Sequence, residues 1–60
     1  MQEKMTYEEY IRISQLIRTA LYALESCKER NRELAVAYTR LEESMLWFKE
    51  ARTRYGLSEL

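Results

Sequence analysis

The sequence predicts an all-α chain folded as a two-helix antiparallel hairpin that assembles into a helical homo-oligomer. Three observations lead there. The 60 residues contain no proline and a single glycine, Gly56, near the C-terminus, and Glu, Leu, Arg and Ala, all good helix formers, dominate. Apolar side chains recur at three-four spacing in two stretches. Between the stretches lies Ser26 to Asn31, SCKERN, with no apolar residue beyond its thiol. A chain this short forms one domain, residues 1–60, and buries only about 60% of the surface its unfolded form exposes. Disulfides, a metal or oligomerisation usually compensate in small domains. Cys27 is the only cysteine, and there is no histidine or aspartate. Neither an intrachain disulfide nor the usual zinc ligand set can form. Self-association remains, and no cofactor or metal is expected.

Helix 1 is expected over about residues 6–27. Met1 to Met5 carries no cap and is expected to fray. Thr6-Tyr7-Glu8-Glu9 fits a capping box, with Thr6 covering a free amide and Glu9 reaching back. Two glutamates in the first turn suit the positive end of the helix dipole. From there Tyr10, Ile13, Ile17, Ala20, Leu24 and Cys27 make the expected packing stripe, broadened by Ile11, Leu16 and Leu21.

No Gly or Pro interrupts SCKERN, so one continuous helix and a hairpin are both compatible with it. The hairpin is favoured because it lets the two apolar faces meet within one chain. Asn31 then caps helix 2, with Glu33 in its first turn. Helix 2 is expected over about residues 32–55. Leu34, Tyr38, Leu41, Met45, Phe48 and Tyr55 keep a coiled-coil-like spacing that Arg52 interrupts. Ala37, Leu46 and Trp47 beside them make the apolar arc wider than one partner helix requires, so the excess is expected to meet other copies. Gly56 is a helix stop in the left-handed conformation, and Leu57 to Leu60 is a short tail.

Ten basic residues balance ten acidic ones, all glutamate. Zero net charge argues against a coat for long nucleic acid, which needs a basic surplus. LAVAY is too short to span a membrane, and no signal-peptide core precedes it. A reduced cytoplasmic protein is expected. Catalysis finds little support, because the commonest general base is missing. Glu42 and Glu43 are neighbours that point about 100° apart on a helix, as a solvated face does. Cys27 has Lys28 and Arg30 nearby to activate it, but a lone cysteine on an apolar line is first a small packing residue. A non-enzyme is the expectation.

The basic residues point further. Lys28, Arg30 and Arg32 crowd the inter-helix segment, and Arg32 stands beside the open amides of helix 2. Free N–H groups and guanidinium forks together suit a phosphate; a polar turn that keeps the hairpin soluble is the plainer alternative. Tyr7, Tyr10 and Tyr22 have rings that stack on bases in single-strand sites, although tyrosine at helical spacing is also ordinary packing. Arg18 lies between these tyrosines and the basic turn.

The segment Asn31 to Trp47, NRELAVAYTRLEESMLW, a little over a quarter of the chain, resembles the C-terminal helix of a family of small phage and prophage proteins. The resemblance rests on Arg32-Glu33, Ala37, Thr39-Arg40-Leu41-Glu42-Glu43-Ser44, Leu46 and Trp47. More loosely, Met5-Thr6-Tyr7 and Ile17-Arg18 resemble its N-terminal aromatic segment and Ile-basic pair. Where that family has His-Pro after the tyrosine, this chain has Glu8-Glu9. The family comprises sponge proteins of the anti-CBASS and anti-Thoeris kind, helical hairpins forming hexamers in characterised members. They sequester cyclic dinucleotides, cyclic trinucleotides or cyclic ADP-ribose isomers uncleaved, which blocks host immune signalling. The resemblance implies that Tyr7 stacks on a base and that Arg18 and Arg32 hold phosphates. It further implies that Trp47 and the LEE segment build helix interfaces. The rival expectation is a structural hairpin or coiled-coil adaptor for a protein partner.

Overall fold

The computed structural model describes residues 3–58. Met1 and Gln2 of the segment expected to fray, and Glu59 and Leu60 of the expected tail, lie outside the described residues. The chain forms a two-residue strand β1 (Met5–Thr6), helix α1 (Tyr7–Glu25), helix α2 (Arg32–Tyr55) and a second short strand β2 (Leu57–Ser58). The two helices fold back on one another as a hairpin, and α2 has the bounds its sequence predicts. Helix α1 ends two residues earlier than the predicted position 27. Ser26 is its C-cap and donates its hydroxyl to the Ala23 carbonyl at 2.7 Å. The chain then turns through Cys27 N–H to Leu24 O and Arg30 N–H to Cys27 O, each 3.0 Å.

Both helix starts are set by their own side chains. Thr6 Oγ1 accepts from the Glu9 amide at 3.0 Å while Glu9 Oε1 accepts from the Thr6 amide at 2.8 Å, which completes the capping box. Asn31 Oδ1 accepts from the Leu34 amide at 2.8 Å.

The expected fraying is corrected at Met5, and the expected tail at Leu57 and Ser58. Met5 pairs with Leu57 and Thr6 with Ser58 in a parallel two-strand contact at the open end of the hairpin. The joint is Gly56, at φ 80° and ψ −171°. Its φ is positive, as predicted for a helix stop, but its ψ is extended, in a region essentially confined to glycine. The chain therefore leaves α2 extended and joins β1 instead of trailing away.

The seam between the helices also differs from the expected stripe. On α1 it runs through Tyr10, Ser14, Ile17, Leu21 and Leu24; on α2 through Leu34, Tyr38, Leu41, Met45 and Phe48, all at least partly covered. These positions alternate by four and three, the spacing of antiparallel helices at a shallow crossing. Ile13, Leu16 and Ala20, expected on the stripe, lie outside it and are exposed. Ser14 takes a seam place instead, and its Oγ is enclosed without a hydrogen-bond partner. At the open end Tyr10 stacks on Phe48, centroids 5.2 Å apart. Arg52 lies over the same tyrosine, 4.8 Å from the ring centre, and donates to its hydroxyl at 3.4 Å. Arg52 therefore continues the seam that its charge was expected to interrupt. Met45 alone among the described residues is buried, in a rod of 42 × 17 × 17 Å.

Candidate functional site

The turn end of the hairpin carries the candidate site. On one face of the molecule, Arg18, Leu21, Tyr22 and Glu25 of α1 and Tyr38 of α2 line an open groove of about 410 Å³. A second groove of about 770 Å³ continues it beyond Tyr38, lined by Lys28, Glu29 and Asn31 of the turn and by Arg32, Ala35, Thr39 and Glu42 of α2. Tyr38 is the shared wall. Both grooves fall in the size range of small-ligand sites.

Helical geometry explains the grouping. Arg18, Tyr22 and Glu25 are spaced by four and three, so they stack along one side of α1. Arg32, Ala35, Thr39 and Glu42 do the same on α2. Tyr38 sits in the seam and lines both grooves.

Tyr38 is held from two directions. The Lys28 ammonium lies 4.3 Å from its ring centre, and Lys28 also pairs with Glu25 at 3.1 Å. The Tyr38 hydroxyl, hydrogen-bonded to Glu25, holds that carboxyl below its ordinary value, with Lys28 acting in the same sense. The same contacts raise Tyr38, through Glu25, and raise Lys28, again chiefly through Glu25. Glu25, Lys28 and Tyr38 thus form one coupled set at the centre of the site.

Of the sequence-predicted residues, Arg18, Lys28 and Arg32 lie on this face. Arg30 does not: it lines a separate depression round the turn with Ser26 and Cys27, which shares Glu25 with the first groove and Glu29 with the second. Tyr7 is the first residue of α1 and 63% exposed, about 16 Å along the helix axis before Arg18. A single chain does not bring it to the groove. Tyr38 and Glu25 are the residues that sequence reasoning missed. Tyrosine at a seam position reads as packing, and the available signal was the Glu25–Lys28 spacing of three, which marks an ion pair on one turn.

The face carries three cations, Arg18, Lys28 and Arg32, against three carboxylates, Glu25, Glu29 and Glu42. That balance suits a compact ligand with few phosphates better than an extended polyanion. At the start of α2 the amides of Arg32 and Glu33 belong to the first turn, which a helix leaves open, and the Asn31 cap takes the amide of Leu34. Among the described residues no three His, Cys, Asp or Glu side chains converge as a metal site requires, and no helix is long and apolar enough to cross a membrane. No family model, curated protein or solved structure matches the chain.

Proposed function

We propose that this chain is a non-enzymatic sponge, self-associated and hexameric as in the family it resembles. It captures a cyclic nucleotide immune messenger in the host cytoplasm and thereby blocks anti-phage defence. The ligand class is a cyclic dinucleotide, a cyclic trinucleotide or a cyclic ADP-ribose isomer. The observation that carries the reading is the groove face, where Tyr22 and Tyr38 offer aromatic surfaces between the cations Arg18, Lys28 and Arg32. The resemblance of Asn31 to Trp47 to the sponge helix supports it independently.

In this reading a base stacks in the groove and phosphates take Arg18 and Arg32, the latter aided by the open amides of α2. Lys28 joins once it gives up part of its pairing with Glu25. Arg30 contributes from the turn as a long-range charge. Tyr7 reaches a groove only when a neighbouring copy brings it there. No bond is made or broken, so capture is stoichiometric and heating releases the ligand intact.

Calorimetric titration against a panel of these cyclic nucleotides tests it: tight binding to at least one is expected, and silence across the panel removes the hypothesis. A ligand at 100-fold excess over its dissociation constant adds about 2.7 kcal/mol of stability, which appears as a raised Tm. Arg32→Ala is expected to abolish binding and leave the oligomer intact. The alternative, an adaptor that docks a protein partner, is favoured by one observation, the exposure of Leu46, Trp47 and Tyr22. It predicts no nucleotide-dependent rise in Tm.

A further inference from the structure

Of the three cations on the groove face, one is already engaged. Lys28 pairs with Glu25 at 3.1 Å and lies 4.3 Å from the ring centre of Tyr38. Among the described residues Arg18 and Arg32 enter no ion pair, and neither do Glu29 and Glu42 of the second groove. The pairing is selective: one carboxylate of the face has taken one cation, and the others stand apart.

Where the two partners lie decides what the pair does. Lys28 lines the second groove with Arg32, whereas Glu25 lines the first groove and the depression round the turn. The ion pair therefore crosses from one groove to the other beside Tyr38, their shared wall. An anion entering the second groove finds Lys28 committed to a carboxylate that lies outside it.

Two roles are open to such a carboxylate. It can hold Lys28 in place for a ligand, or it can compete with the ligand for Lys28. The balance falls to competition. An anion bound to the same ammonium comes within about 5 Å of the carboxylate, and the two charges repel. Positioning offers little against this, because the Tyr38 ring holds the ammonium from a second direction whether or not Glu25 is charged. Release also costs little. The Glu25 side chain is 52% exposed, so water solvates the freed carboxylate, and the Tyr38 hydroxyl continues to donate to it.

We propose that Glu25 is a specificity-determining residue of this site, an internal competitor that keeps Lys28 from anions unable to reach a second cation. It stands one turn before Lys28 and acts as a tethered anion at roughly millimolar effective concentration. A monoanion such as acetate, held through Lys28 alone, gains nothing over it. A phosphate that bridges Lys28 and Arg32 does gain, because Glu25 lies outside the second groove and offers no such second contact. Specificity then comes from a repulsive element inside the site and not from an added attraction. The inference rests on the groove reading of the proposed function, and not on which nucleotide is captured.

The test uses the full chain and two probes, sodium acetate and inorganic pyrophosphate. Binding is followed by NMR of the Lys28 ammonium and the Arg32 guanidinium at physiological ionic strength, where charges more than about 8 Å apart are largely screened. In the wild type pyrophosphate is expected to move both signals, and acetate at equal concentration neither. Glu25→Gln is expected to bind pyrophosphate about fivefold more tightly, the weight of a partly exposed ion pair, and to admit acetate to Lys28. Glu42→Gln removes a carboxylate that holds no cation and is expected to change the affinity less than about twofold. In a Lys28→Gln background Glu25→Gln should lose its effect, which separates competition for Lys28 from a general change of field. Unchanged or weaker pyrophosphate binding by Glu25→Gln overturns the inference. So does an equal gain from Glu42→Gln, a gain that survives the loss of Lys28, or no pyrophosphate binding by either wild type or Glu25→Gln. Silence across the cyclic nucleotide panel beside a positive result here removes the sponge reading alone. A flat Glu25→Gln response beside a tightly bound messenger removes the competitor alone.

Discussion

The two ends of the hairpin are built by different means. At the turn end the contacts are local: Asn31 caps α2 three residues along, and Glu25 pairs with Lys28 across one turn. Only Tyr38 comes from the other helix. At the open end the Thr6–Glu9 capping box is local as well, but the clamp joins residues far apart in sequence: Tyr10 on Phe48, Arg52 over Tyr10, and Met5 and Thr6 on Leu57 and Ser58. The turn end leaves its charged and aromatic groups in open grooves, where a ligand can compete for them. The open end engages Tyr10, Phe48 and Arg52 with one another. The open end is clamped while the turn end is left open and polar, in a fold where Met45 is the one buried side chain among the described residues.

Removing the open-end clamp is the largest test of this division. Phe48→Ala takes away the stacking partner of Tyr10 and part of the seam, and is expected to destabilise the chain by about 3 kcal/mol. Chemical denaturation followed by circular dichroism measures it. A loss under about 1 kcal/mol would place the stability elsewhere.

Gly56→Ala is expected to cost less, about 1–2 kcal/mol. No atom lies within 4 Å of the added Cβ, so the whole cost is backbone conformation at φ 80°. Amide exchange should quicken at Met5, Thr6, Leu57 and Ser58 while the turn keeps its protection. Equal loss at both ends would dissolve the contrast between them.

The smallest expected effect lies at the turn. Glu25 is held below the ordinary carboxylate value of 4.5, so its contribution to stability is present above that value and is lost as pH falls through the depressed one. Lys28 and Tyr38 are raised above 10.5 and 10.0. Their contributions are present below those values and are lost as pH rises through the raised ones. The coupled set therefore operates between the two limits. Carboxyl-detected NMR titration should find the Glu25 midpoint lowered. Tyr38→Phe removes the largest cause and should move that midpoint upward, with Lys28 still holding part of the shift. An unmoved midpoint would mean that Tyr38 plays no part in holding the carboxylate.

How much was legible follows the same line. The Thr6 box and the Asn31 cap could be read because each is completed within three residues. The bounds of α2 follow from its caps and from Gly56. The composition of the seam could not be read, because α1 carries two neighbouring stripes, one through Tyr10, Ile17 and Leu24 and one through Ile13, Leu16 and Ala20. Periodicity gives the width of an apolar arc, not which part faces the partner within the chain. Ser14 was hidden for the same reason: a hydroxyl does not announce a seam position. In the site, Arg18, Lys28 and Arg32 were legible as cations near a turn, but their common face with Tyr38 exists only once α2 lies against α1.

By itself the sequence determined two helices, their starts and the polar turn between them. Local hydrogen bonding and side-chain spacing suffice for those. Only the tertiary structure decided that Met5 and Leu57 meet, that Arg52 closes over Tyr10, and that Tyr38 joins two grooves into one face. Each of these depends on the register of one helix on the other, which is a property of the packed pair and of neither helix alone.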